Sequence, residues 1–205
     1  RYTYVVPMKK KSDSLQALKM FIADVGTPRE LLSDCDSNFF SEQFTSYCIS
    51  QKIRQTDSIP YRQHGNGIAE RGNAELKSIA KALLLDSGLP PSFWAYALCT
   101  ASYLKNRTAG IHGKTPYELC TPVSFGLPPS VQHLRVWGSP CYAYVEKPFR
   151  KSDQHNAVST PCIFIGYDKR NDGYLCYNPS TKTVITRDAI TCDESYVGGI
   201  DVLRN

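Results

Sequence analysis

The chain has 205 residues, 41% hydrophobic and 21% charged. That is one domain or one and a half at roughly 100–200 residues each, with enough apolar side chain to exclude wholesale disorder. No apolar run approaches the ~18 residues of a membrane-spanning helix, and no basic stretch followed by an apolar segment opens the chain as a secretion signal would. Net charge is +5: residues 1–120 carry 15 Lys+Arg against 11 Asp+Glu, and residues 121–205 carry 9 against 8. An excess this modest permits a nucleic-acid partner without demanding one.

Tyr2-Thr3-Tyr4-Val5-Val6 reads as a β-strand from almost the first residue, with no initiating Met, so the chain is expected to be a piece of something longer. Lys9-Lys10-Lys11 makes a charged turn. Ser12 or Asp13 then caps a helix carrying Leu15, Leu18, Ile22 and Val25 on one face, stopped by Gly26-Thr27-Pro28. Glu30–Ser33 is short, apolar and bounded by turn signals, which predicts a buried strand. Ser41–Ser50 fits a second helix, with Phe44, Tyr47 and Cys48 together, and Ile53–Thr56 a further strand. This βαβαβ alternation favours an α/β layer fold with parallel strands.

After a loop over 57–65 comes a long helical pattern whose apolar face is Ile68, Leu76, Ile79, Ala80 and Leu83, ended by Asp86-Ser87-Gly88. Pro90-Pro91-Ser92 starts another helix bearing Phe93, Trp94, Ala97, Leu98, Ala101 and Leu104, a stripe expected in a core or subunit interface. Beyond about Thr121 the texture changes. Pro122, Pro128 and Pro129 predict a linker over 121–130, dividing a first domain, 1–120, from a second, 131–205. In the second, Leu134–Trp137, Cys141–Val145, Cys162–Ile165, Tyr174–Tyr177 and Thr183–Thr186 read as short strands. Turn chemistry at Asn178-Pro179-Ser180-Thr181 joins the last two in a hairpin. A small antiparallel barrel is the expectation.

The eight cysteines show no Cys-x-x-Cys and accompany no His-x₃₋₅-His, so a zinc module is excluded on spacing. Without a secretion signal they are expected to be reduced thiols of an intracellular protein. Cys99, Cys120, Cys141 and Cys162 recur every 21 residues, but the intervening apolar patterns do not align and no repeat is inferred. The four histidines are scattered, and none is assigned to a metal.

Two carboxylates stand out by position. Asp34 directly follows the strand Glu30–Ser33, at the end where open α/β sheets place ligands. Glu70 falls in the opening turns of the long helix, leaving 35 residues between the two. Two-metal phosphoryl transfer needs anionic oxygen ligands on rigid elements that hold two cations about 4 Å apart, and a strand-end Asp with a helical Glu meets that need. Spacing alone leaves the alternative open, because such an Asp often caps a turn and an early-helix Glu often only answers the helix dipole.

Leu32-Ser33-Asp34 with Asn38-Phe39, then Pro60-Tyr61 and Asn66-Gly67-Ile68-Ala69-Glu70-Arg71, resembles the integrase of copia-type long-terminal-repeat retrotransposons. The resemblance continues through Phe93-Trp94, Asn106-Arg107, Thr115-Pro116-Tyr117-Glu118, Leu134-Arg135-Val136, Gly166-Tyr167, Gly173-Tyr174 and Thr186-Arg187-Asp188, and so covers nearly the whole chain. It implies an RNase H-like integrase core, N-terminally truncated, plus a small antiparallel β-barrel domain. It also implies metal-dependent hydrolysis and strand transfer on DNA, in which Asp34 and Glu70 are the second and third carboxylates of a triad holding Mg²⁺ or Mn²⁺. The first carboxylate is expected upstream of Arg1, so the two-metal site is incomplete and the chain alone is expected to be inactive. The family's usual Asn-Gly-Gly-Glu after the strand-end Asp is here Cys35-Asp36-Ser37-Asn38.

By the same resemblance the partners are DNA, both element ends and target, and further copies of the protein; the parent integrase would act in the nucleus and no membrane is involved. Asn66, Arg71, Lys77 and Lys81 are expected to touch DNA. Asn66 also suits the N-cap of the long helix, and the bland alternative for the lysines is a solvated helix face. The competing function is a catalytically dead or co-opted relic that binds nucleic acid.

Overall fold

The structure, a computed structural model, describes residues 1–33, 39, 41–57, 67–110, 113–144, 159–168 and 173–195. These fall into two compact units, one of residues 1–75 with 105–129 and one of residues 76–104 with 130–205. The breaks at 75/76 and 104/105 send a helical stretch to join the C-terminal sheet.

In the first unit a turn of 3-10 helix at Lys11–Asp13 leads into α1 (Ser14–Val25), with Asp13 at its N-cap and Gly26 at its end. Strand β1 (Glu30–Ser33) pairs in parallel with β2 (Arg54–Asp57), Glu30 opposite Arg54 and Ser33 opposite Asp57. Helix α2 (Glu42–Ser50) lies between them in sequence and bears Phe44 and Cys48 on its buried face. Leu18, Phe44, Cys48 and Ile53 form the core, with Leu15, Ile22, Leu31, Phe39 and Tyr47 around it. The parallel pairing matches expectation, but β1 is not a fully buried strand. Its burial alternates and Leu32 is 48% exposed, because only the Leu31 side packs on this core.

The expected strand at Tyr2–Val6 is not one. Its extended backbone is instead bracketed by a side chain from the helix α4 (Trp94–Arg107). The Asn106 carboxamide oxygen accepts from the Thr3 N–H at 2.8 Å and from the Thr3 hydroxyl at 3.1 Å, and its NH₂ donates to the Thr3 carbonyl at 2.7 Å. Two short helical turns close the unit: α5 (Pro116–Leu119), held by reciprocal bonds between Thr115 and Glu118, and α6 (Thr121–Ser124). The Thr115 bonds hold the Glu118 carboxyl below its ordinary pKa. The Ser124 hydroxyl donates to the Glu118 and Cys120 carbonyls.

The second unit contains most of α3 (Gly67–Ser87), most of α4, and a five-stranded antiparallel sheet in the order β6-β5-β4-β3-β7. Its strands are β3 (Pro140–Tyr144), β4 (Ser159–Tyr167), β5 (Tyr174–Asn178), β6 (Thr183–Arg187) and β7 (Ile190–Cys192). The expected hairpin joins β5 to β6, with the Asn178 carboxamide accepting from the Ser180 and Thr181 N–H groups. Strand β7 was not foreseen, and it closes the barrel. Four spacings of about 4.8 Å would hold β6 and β7 roughly 19 Å apart in a flat sheet, yet only Asp188 and Ala189 join them, a reach of at most about 11 Å. The sheet must therefore curl until its edges meet. Arg187 marks the closure, its Nε donating to the Tyr144 carbonyl at 3.0 Å.

Leu134–Trp137, expected as a strand, forms turns. Partners from elsewhere fix it: the Arg135 N–H donates to the Tyr167 hydroxyl, and the Trp137 indole N–H to the Ile165 carbonyl at 2.8 Å. Burial pushes the Tyr167 phenol up to about 12, so it stays a neutral partner. The Tyr103 ring of α4 stacks on Tyr167 at 4.2 Å, and Phe93 meets Tyr177 edge-on at 5.0 Å. The helical stripe is thus core at Ala97 and Ala101, both fully buried, but not at Trp94, which is 54% exposed.

Gly138 sits at φ +85°, where a Cβ would lie 2.3 Å from the Cβ of Ser87 at the end of α3. Gly138→Ala therefore meets backbone strain and a clash, each costing about 1–3 kcal/mol, and its urea midpoint should fall accordingly. A double-mutant cycle with Ser87→Gly should show coupling of about 1 kcal/mol or more; zero coupling would deny the close approach. For Asn106→Ala, which removes the three hydrogen bonds to Thr3, the expected loss is about 1–3 kcal/mol, read from the same denaturation.

Candidate functional site

Of the residues expected at a metal and DNA site, four are placed and two are not. Asp34 and Asn66 lie outside the described residues; in sequence, Asp34 directly follows Ser33, the last residue of β1. Glu70 stands in the first turn of α3, where the unpaired N–H groups of a helix start favour negative charge, and its side chain is exposed. Arg71 is exposed too, and its Nε donates to the Gly67 carbonyl one turn back at 2.9 Å, laying the guanidinium along the first turn. Lys77 and Lys81 are exposed further along the same helix. At 100° per residue they fall roughly −20° and +20° from Glu70, about 10 and 16 Å along the axis.

Among the described residues no group of three or more His, Cys, Asp or Glu could hold a metal ion. What they do supply fits a hard divalent cation in kind: Glu70 offers exposed carboxylate oxygens, the donors Mg²⁺ and Mn²⁺ take. A separate hollow of about 280 Å³ in the first unit, lined by Tyr4, Val6, Phe21, Leu31 and Phe39 among others, includes no carboxylate and has no part in such chemistry. No described helix is long and apolar enough to cross a membrane.

None of the seven described cysteines is in a disulfide, and Cys35 lies outside the described residues. Their 21-residue recurrence is no structural repeat, since Cys99 lies in α4, Cys120 follows α5, and Cys141 and Cys162 lie in β3 and β4. Sequence reasoning did miss that Cys141, Cys162, Cys176 and Cys192 share one face of the barrel sheet. Strand register reveals that grouping, and residue spacing does not.

A parallel-stranded α/β unit with an attached antiparallel barrel defines the class, and comparison with known proteins agrees. The family described as the retroviral polymerase SH3-like domain matches residues 139–199. The Pol polyprotein of transposon TNT 1-94 from Nicotiana tabacum is 32% identical over 202 residues, 96% of this chain and 15% of the polyprotein. That of transposon RE2 from Arabidopsis thaliana is 28% identical over 204 residues, 95% of this chain and 13% of the polyprotein. In fold, the chain resembles a chain of a simian T-cell lymphotropic virus intasome solved with the PP2A regulatory subunit B56 gamma. The TM-score is 0.50 at 24% identity, covering 90% of this chain and 65% of that one. The architecture is thus that of an RNase H-like integrase core followed by an SH3-like barrel. The chain belongs with the copia-type long-terminal-repeat retrotransposon Pol polyproteins that its motifs resemble, and it spans about 15% of the length of such a polyprotein.

Because Glu70 is exposed and contributes only a first-turn charge, Glu70→Gln should lower stability by no more than about 1 kcal/mol. Thermal unfolding followed by circular dichroism checks this. A larger loss would mean that the carboxylate holds the fold together.

Proposed function

We propose that this chain carries the DNA-integration chemistry of its polyprotein: metal-dependent attack of water, and then of a DNA 3′-hydroxyl, on phosphodiester bonds. The observation that carries this reading is the exposed Glu70 in the first turn of α3, 36 positions after an Asp that directly follows a parallel strand. Asp34 and Glu70 would hold Mg²⁺ or Mn²⁺. Such cations, when bound, lower the pKa of an attacking hydroxyl and neutralise a leaving oxygen.

The remaining residues position DNA. Lys77 and Lys81, on the Glu70 side of α3, offer ammonium groups to phosphates, and Asn66 and Arg71, four before and one after Glu70 in sequence, would contact DNA beside it. Phosphate contacts fix register and carry no base information, so this helix grips DNA of any sequence. We further propose that the protein works as a homo-oligomer, on element ends and target DNA together, in the nucleus, and that the 121–130 segment links the core, 1–120, to the barrel domain, 131–205.

Two measurements test the reading. Lys77→Ala with Lys81→Ala should weaken binding to a fixed duplex and flatten the salt dependence of log K by about one to two units, read by fluorescence anisotropy across several salt concentrations. Glu70→Gln should leave that slope unchanged, and an unchanged slope in the double lysine variant would return both residues to an ordinary solvated face. In a longer segment of the polyprotein that contains this chain and joins DNA strands, Asp34→Asn and Glu70→Gln should each abolish joining. Near-wild-type turnover in either would refute the metal assignment, and DNA binding without any joining would favour the binding relic.

A further inference from the structure

The barrel encloses a group of thiols that the integration chemistry does not use. Cys141 of β3 lies directly opposite Cys162 of β4 on one side and Cys192 of β7 on the other. Cys176 of β5 is opposite Phe164, which puts it diagonal to Cys162 on the same face. The Cys141 and Cys176 sulfurs are 3.9 Å apart, and Cys141 also hydrogen-bonds to the Cys192 thiol. Cys141, Cys162 and Cys176 are at most 2% exposed, whereas Cys192, on the short edge strand, is only half-buried.

We propose that Cys192 and Cys141 form an oxidation site, with Cys192 the thiol that peroxide attacks and Cys141 the thiol that resolves the product into a disulfide. Solvent-accessible thiolates beside a second cysteine are the sites that oxidise selectively. A hydrogen bond with the Cys141 thiol holds the Cys192 thiol below its ordinary range, against the opposing effects of burial and Glu194, and the Arg135 guanidinium adds to this. Cys141 itself is shifted upward, by its hydrogen bonds to Cys176 and Cys192 and by burial, and keeps its proton.

The chemistry balances with hydrogen peroxide as oxidant. The Cys192 sulfur takes one oxygen as the O–O bond breaks, giving a sulfenic acid and one water. Cys141 then attacks that sulfur; the S–O bond breaks, the S–S bond forms, and the hydroxide leaves with the Cys141 proton as a second water. Two thiols are oxidised by two electrons and one peroxide is reduced. Directly opposed residues of an antiparallel pair have Cα atoms about 4.5 or 5.5 Å apart, inside the range a disulfide spans, so the bond forms without breaking the β3–β7 pairing.

The test is peptide mapping of the full chain by mass spectrometry, without reductant, after a brief peroxide pulse. The expected product is a peptide pair linked through Cys141 and Cys192 and lighter by two hydrogens. It should form about tenfold faster than any product at Cys162 or Cys176. Cys141→Ala should abolish the link and leave a sulfenic acid at Cys192 that dimedone captures, while Cys192→Ser should leave Cys141 unmodified on the same timescale. Circular dichroism shows whether each variant folds, and the wild-type map decides the matter if one does not. A first disulfide between Cys141 and Cys176, a link between chains, or no preference among the thiols would overturn the assignment.

Discussion

The two-residue join between β6 and β7 constrains the C-terminal half more than any single contact. A sheet of five strands has two open edges, and open edges invite pairing with other chains. Here the chain leaves one edge and must start the other within the reach of Asp188 and Ala189, so curling is compulsory. Curling gives the sheet an inside, and Phe164 and Cys176, directly opposite each other, are fully buried there. The Trp137 indole donates to the Ile165 carbonyl of the central strand β4, and the turn that carries it docks through Gly138 onto Ser87 of α3.

Much of the first unit was legible because its signals are local. Asp13 and Gly26 bracket α1 in sequence and in space, Ser41 stands at the N-cap position of α2, and short β-branched or apolar runs gave β1 and β2. Features fixed by distant partners were not legible. Tyr2–Val6 has the composition of a strand, but Thr3 is held by a side chain 103 positions away. Leu134–Trp137 has similar composition, yet Tyr167 and Ile165 claim its donors. Strand β7 is three residues long, below the length at which alternation can be seen. At the candidate site, the helical setting of Glu70 was readable from its flanking glycines and helix pattern, whereas the side of a sheet on which a cysteine points depends on register.

Several residues that carry the family resemblance turn out to be structural. Asn106 clamps Thr3, Thr115 and Glu118 cap one another, Tyr167 receives Arg135 and stacks on Tyr103, and Arg187 spans the barrel seam. Each hydrogen-bonds a backbone group, and such groups are costly to bury without a partner. Likeness over nearly the whole length to the tobacco polyprotein therefore includes the scaffold as much as the chemistry, and matching at Asn106 or Tyr167 says nothing by itself about whether a chain can join DNA.

The Asn106–Thr3 clamp also bears on the order in which the chain becomes a folded object during synthesis. The first unit needs residues 1–75 and 105–129, so the ribosome must deliver the helical insert before that unit has its last parts. Closing a loop of this length costs more entropy than closing a local one, and topologies rich in distant contacts fold slowly. Until residue 106 emerges, the segment at residues 1–6 lacks the amide that brackets Thr3. Vectorial translation thus gives no early refuge to the half of the chain that carries Asp34: it matures late, together with the unit that starts inside its own interruption.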